Sequence, residues 1–134
     1  MIALRFLLST AAGAGLYLWA YHPWLPYSMR ERSQTGTGML MVMAGAFACG
    51  LLLGRGEHQV RYLIAAAFLG AMWLANAVVI AADWHFDPTS HNLLPFEFII
   101  LAFLGSPAFL GAALSGGNKK GGAQAPPRSE STQE

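Results

Sequence analysis

The chain has 134 residues, 54% of them apolar or aromatic and 11% charged, with a net charge of +1 and a mean hydropathy of +0.41. Soluble domains carry about 25% charged residues, so this composition excludes a disordered chain and argues against an ordinary soluble globule. The near-zero charge offers nucleic acid no basic field, and the lone cysteine, Cys49, excludes an internal disulfide or a four-cysteine metal site.

The apolar residues fall into four long runs, each near the roughly 20 residues that a membrane-spanning helix needs. The first runs from about Ile2 to Tyr21, broken only by Arg5. Arg5 before an apolar stretch, with Ala12-Gly13-Ala14 beyond it, resembles a signal peptide with its cleavage site. Cutting there leaves too short a hydrophobic region, and Leu16-Tyr17-Leu18-Trp19 prolongs the run, so an uncleaved helix is preferred. His22-Pro23-Trp24-Leu25-Pro26 cannot continue it, because two prolines remove donors and restrict the residues before them.

The second run, about Thr37 to Gly54, is shorter and glycine-rich. Its Gly50-Leu51-Leu52-Leu53-Gly54 is a GxxxG, and Ala11/Gly15 and Ala66/Gly70 repeat the four-residue spacing. Small side chains let helix backbones approach closely, which matters where lipid supplies little hydrophobic drive between helices. Packing within one bundle is favoured here over a dimer seam.

The third run, about Tyr62 to Ala82, has no charge and one strongly polar residue, Asn76. The fourth, Leu94 to Leu114, contains Glu97 and Pro107. Pro107 cannot donate to the Phe103 carbonyl, which predicts a kink, with Ser106 or a neighbouring helix satisfying the freed oxygen. No run alternates as a barrel strand would. The reading is an all-α membrane protein, residues 1–114, with four transmembrane helices in an antiparallel bundle.

Orientation follows from lysine and arginine. With both termini cytoplasmic, Arg5, Arg55, Arg61, Lys119, Lys120 and Arg128 lie inside, and Arg30 and Arg32 outside. Residues 115–134 hold Gly, Lys, Pro, Ser and Gln without apolar period, and read as a disordered cytoplasmic tail. Tyr17, Trp19, Tyr21, Trp24, Tyr27, Trp84, Phe86, Phe96 and Phe98 gather at the outer level as an anchoring belt.

Three features could carry chemistry. Glu97 is the one acid within a predicted span, a default suspect for proton or ion handling. With Pro95 at the first helical position it falls in the first turn, where the helix dipole favours an anion, so a structural role competes. Asn76 and Tyr17, at depths of about 9 and 6 Å by helical rise, could complete an outward-facing polar pocket with Glu97. Alternatively, Asn76 is an interhelical hydrogen-bond group.

The outer loop from Asp83 to Asn92 is the densest polar cluster. Asp83, His85 and Asp87 alternate, so an extended segment points them to one side, and His91 could return after the Asp87-Pro88 turn. Imidazole plus carboxylate suits a divalent metal. The spacing matches no zinc signature, however, and Asp and His are ordinary turn residues. Asp83 at a helix carboxyl end also calls for a compensating cation.

Nucleophile-elbow, phosphate-loop and CxxC motifs are absent. The expectation is a multi-pass plasma (inner) membrane protein without catalytic activity or cofactor, an accessory subunit that packs with itself or a larger membrane complex. The alternative is a small transporter or ion- or metal-handling protein using Glu97, Asn76 and the outer loop 83–92.

Overall fold

The computed structural model describes residues 2–21, 36–86 and 94–116. They form α1 (Ile2–Tyr21), α2 (Gly36–Leu53), α3 (His58–Phe86), α4 (Leu94–Gly105) and α5 (Pro107–Leu114), and no strand occurs among the described residues. Three segments are long and apolar enough to cross a membrane: Ile2–Ala20, His58–Phe86 and Pro95–Leu114, the last running through α4 and α5. Gly38–Leu53 in α2 is apolar but shorter. Tail residues 117–134 and the connections 22–35 and 87–93 lie outside the described residues.

The third helix is longer than its apolar run. Hydropathy marks only the stretch that lipid would surround, whereas the backbone ladder continues through any residues that tolerate helical geometry. It begins with Arg61 N–H donating to the Glu57 carbonyl and ends at Phe86. At 1.5 Å per residue, 29 residues span about 43 Å, more than the roughly 30 Å of a hydrocarbon core.

The fourth run divides at Ser106. Its backbone stays helical (φ −57°, ψ −32°), and its N–H reaches the Ala102 carbonyl at 2.9 Å. Pro107 then breaks the ladder for want of a donor. The Ser106 hydroxyl takes over, donating to the Phe103 carbonyl at 2.8 Å. The freed oxygen is thus satisfied within the segment.

Every helix leaves large apolar side chains uncovered: Leu4 and Leu7 on α1, Leu40 on α2, Leu63 and Leu74 on α3, Ile99 and Phe103 on α4, and Leu110 on α5 are each more than half exposed. Monomers in water rarely expose such surface. With apolar residues all round, hydrophobicity cannot select the inward faces; side-chain size and polarity do so instead. On α1 the inward face is Ser9, Gly13 and Tyr17, four residues apart and therefore stacked on one side. They meet Ile64, Phe68 and Asn76 in the same order, so α1 and α3 run in the same direction. Gly50 and Gly54 likewise meet Ala108 and Ala112, which sets α2 beside α5 in the same direction. Between the two pairs lies a core of Val42, Ala46, Phe68, Met72, Leu101 and Leu104.

Glycine is required where backbones touch. A Cβ on Gly13 would overlap the Phe68 carbonyl, and one on Gly50 would overlap the Ala108 carbonyl. The GxxxG of α2 therefore serves packing within the chain, as its spacing suggested. Ala11/Gly15 and Ala66/Gly70 do not. They are exposed, and nothing lies within 4 Å of where a Cβ on Gly15 or Gly70 would stand.

Gly50→Ala is expected to destabilise the fold by about 1–3 kcal/mol, because a backbone carbonyl cannot yield as a side chain could. Gly70→Ala should be neutral or stabilising by up to about 1 kcal/mol through helix propensity alone. Reversible unfolding of each variant in mixed micelles measures the difference.

Candidate functional site

Two of the three predicted pocket residues come together. Tyr17 is 3% and Asn76 5% exposed, and the Tyr17 hydroxyl donates to Asn76 Oδ1 at 2.8 Å. Because α3 runs to Phe86, Asn76 lies ten residues from the helix end, about 15 Å along the axis. The amide Nδ2 is buried and has no hydrogen-bond partner. A primary amide carries two N–H donors, so this is a buried donor group left over. Tyr17 is thus not a belt residue: its ring is buried and its hydroxyl engages another helix.

Glu97 stands in the first turn of α4, half-buried, where the dipole favours a carboxylate. It does not accept from the Asn76 amide, whose nitrogen has no partner.

The extended outer segment is overturned at its start. Asp83 and His85 belong to the last turn of α3, and two residues of helix rotate side chains by about 200° rather than aligning them. Asp87 and His91 lie outside the described residues. No group of three His, Cys, Asp or Glu side chains suited to a metal occurs among the described residues. Nearby, Ala77, Ile80, Ala81, Trp84, His85 and Phe98 line a shallow apolar groove of about 530 Å³ between α3 and α4. Among the described residues that line it, His85 is the one ionisable group. Trp19, Trp84, Phe86 and Phe96 are about half or more exposed, as belt residues would be.

Sequence reasoning missed Ser9, which is fully buried where three helices meet. Its hydroxyl donates to the Ile64 carbonyl at 2.7 Å. Cys49 Sγ lies 3.5 Å from Ser9 Oγ, and with the serine proton committed to Ile64 the thiol is the donor. The available signal was the spacing Ser9, Gly13, Tyr17, one small or polar residue per turn.

At the opposite end from Asp83, arginines meet backbone oxygens. Arg5 Nη1 donates to the Arg55 carbonyl at 2.5 Å, and Arg61 Nη1 reaches the Ala113 carbonyl at 3.5 Å. The Ser115 hydroxyl lies 2.6 Å from the Gly54 carbonyl and 2.7 Å from that of Ala112, its one proton shared between them. The last carbonyls of a helix have no intrahelical partner and carry its negative dipole end, so these donors close the ends of α2 and α5. Ser115, assigned by composition to the tail, is docked on the bundle. Gly56, in the connection these groups surround, has φ +128°, a conformation that glycine adopts without strain.

Comparison with family models, with curated proteins and with solved structures yielded no match. Among the described residues the buried polar side chains Ser9, Tyr17 and Asn76 are joined across helices by hydrogen bonds. What they can do chemically is bind helices together, or offer one amide donor to an acceptor inside the bundle.

Tyr17→Phe should cost about 1–2 kcal/mol, since it strands Asn76 Oδ1 beside an already unpartnered amide nitrogen. Tyr17→Phe combined with Asn76→Leu should recover part of that loss, because it removes the donor and the acceptor of this bond together. A double-mutant cycle on thermal unfolding in detergent checks both outcomes.

Proposed function

We propose that the chain is an accessory membrane protein without catalytic activity, which packs against a second copy of itself or a larger complex of the plasma (inner) membrane. In this reading α1, α2, α3 and the α4–α5 segment are four spans in an antiparallel bundle, and both termini are cytoplasmic. The gathering of Arg5, Arg55 and Arg61 at one end supports that orientation, because basic residues favour the cytoplasmic side.

The observation that carries the proposal is the division among small residues. Gly13, Gly50 and Gly111 touch backbone within the chain, whereas Ala11/Gly15 and Ala66/Gly70 are exposed, and no described residue comes within 4 Å of a Cβ on Gly15 or Gly70. Glycine in a helix costs about 1 kcal/mol relative to alanine, and against lipid that cost returns nothing. A partner helix seated there would return close backbone packing.

One observation favours the second reading, a small transporter or ion-handling protein: the deeply buried Tyr17–Asn76 pair with its leftover amide. Buried polar groups in membrane segments mark pathways in many proteins. Glu97→Gln discriminates. It leaves an accessory subunit folded and working, and abolishes any proton- or cation-coupled flux.

Gly15→Leu and Gly70→Leu are expected to leave the isolated chain's unfolding temperature unchanged and to dissociate its native-membrane complex on native electrophoresis. A chain that migrates as a partner-free monomer from native membranes and alone drives flux in liposomes would refute the accessory role. For topology, a reporter fused after Glu134 should be active on the cytoplasmic side; activity confined to the outer side would reverse the assignment.

A further inference from the structure

The three arginines at one end of the bundle are under-used by the protein itself. Arg5 commits one N–H to the Arg55 carbonyl, and Arg61 makes a single long bond of 3.5 Å while its Nε is buried without a partner. Arg55 is exposed and its side chain makes no hydrogen bond among the described residues. A guanidinium carries five N–H donors, so most of their capacity is unspent.

Nor is their charge balanced. Among the described residues the acids are Glu57, Asp83 and Glu97, and the last two stand at the far end of the bundle. Glu57 alone shares the basic end, and it is exposed.

The contacts set these arginines around one short connection. Arg5 holds the Arg55 carbonyl, Ser115 holds the adjacent Gly54 carbonyl, and Gly116 packs against the Arg61 guanidinium. Lys119 and Lys120 follow within four residues in the sequence. Large apolar side chains border the same end: Leu4 and Leu8 flank Arg5, Leu52 precedes Arg55, and Leu114 follows Ala113, all about half or more exposed.

We propose that this end of the bundle binds the phosphodiester headgroup of an anionic phospholipid through Arg5, Arg55 and Arg61. Phosphate oxygens are acceptors matched to the guanidinium fork, and headgroups lie at the level where these arginines meet the apolar surface. The exposed leucines argue for a lipid over a free anion, because acyl chains would run along them while the phosphate engages the arginines. Basic clusters at the cytoplasmic ends of spans bind such headgroups on the same physical grounds.

The site rests on the membrane-spanning reading above. The test uses the full chain in nanodiscs of equimolar phosphatidylglycerol and phosphatidylcholine, with retained lipid counted by native mass spectrometry. Phosphatidylglycerol should be retained over phosphatidylcholine by about tenfold or more, and the preference should fall with added salt. Arg55→Gln, which breaks no bond within the fold, should reduce the preference several-fold at an unchanged unfolding temperature. The triple variant Arg5→Gln, Arg55→Gln, Arg61→Gln should abolish it. Equal retention of the two lipids, or an undiminished preference in Arg55→Gln, overturns the site. In phosphatidylcholine-only discs, stabilisation by inorganic phosphate equal to that by phosphatidylglycerol overturns the lipid assignment. A chain that does not enter the disc overturns the spanning reading with it; one that enters without preference overturns the site alone.

Discussion

Close approach of backbones is the constraint on which this structure depends. Between helices surrounded by lipid, burying an apolar side chain gains little, so cohesion comes from dispersion and interhelical hydrogen bonds. Both need short distances. Gly13 against the Phe68 carbonyl brings α1 onto α3, and Gly50 against Ala108 brings α2 onto α5. Ser9 donating to Ile64 and Tyr17 donating to Asn76 lie one turn to either side of Gly13 on the same face. A bulky residue at Gly13 would therefore separate the glycine contact and strain both hydrogen bonds together.

The need to satisfy backbone carbonyls explains where hydroxyls and arginines fall. Ser106 replaces the donor that Pro107 lacks, and Ser115, Arg5 and Arg61 reach carbonyls at or just past helix ends. Each satisfies an oxygen that water would otherwise have to reach. The arginines do this with only part of their donor capacity, which leaves charge and N–H groups directed at whatever surrounds that end. Among the described residues the acids Asp83 and Glu97 stand at the opposite end from Arg5, Arg55 and Arg61, an asymmetry in the charges described.

This asymmetry and the small-residue faces point outward, whereas the buried polar groups are mostly consumed in holding helices together. Ser9, Cys49 and Tyr17 all have partners inside the bundle. The amide nitrogen of Asn76 is the exception among them.

Much of the fold was legible in the sequence. Lipid imposes one simple requirement, a helix-length stretch without charge, so the apolar runs gave the helices directly. The role of Ser106 beside Pro107 and the first-turn position of Glu97 were equally local, being fixed by residues within four positions of each other. The contact of Tyr17 with Asn76 joins residues 59 apart in the chain, so their meeting was decided by the tertiary structure. Helix ends beyond the apolar run were hidden, because Asp83 and His85 read equally well as loop or helix, and only the continued backbone ladder made them helical. Which small-residue pairs turn inward was also decided by tertiary structure. Ala11/Gly15, Ala66/Gly70 and Gly50/Gly54 share one spacing, and in helices that are apolar on every side no local property distinguishes the face that meets another helix from the face that meets lipid.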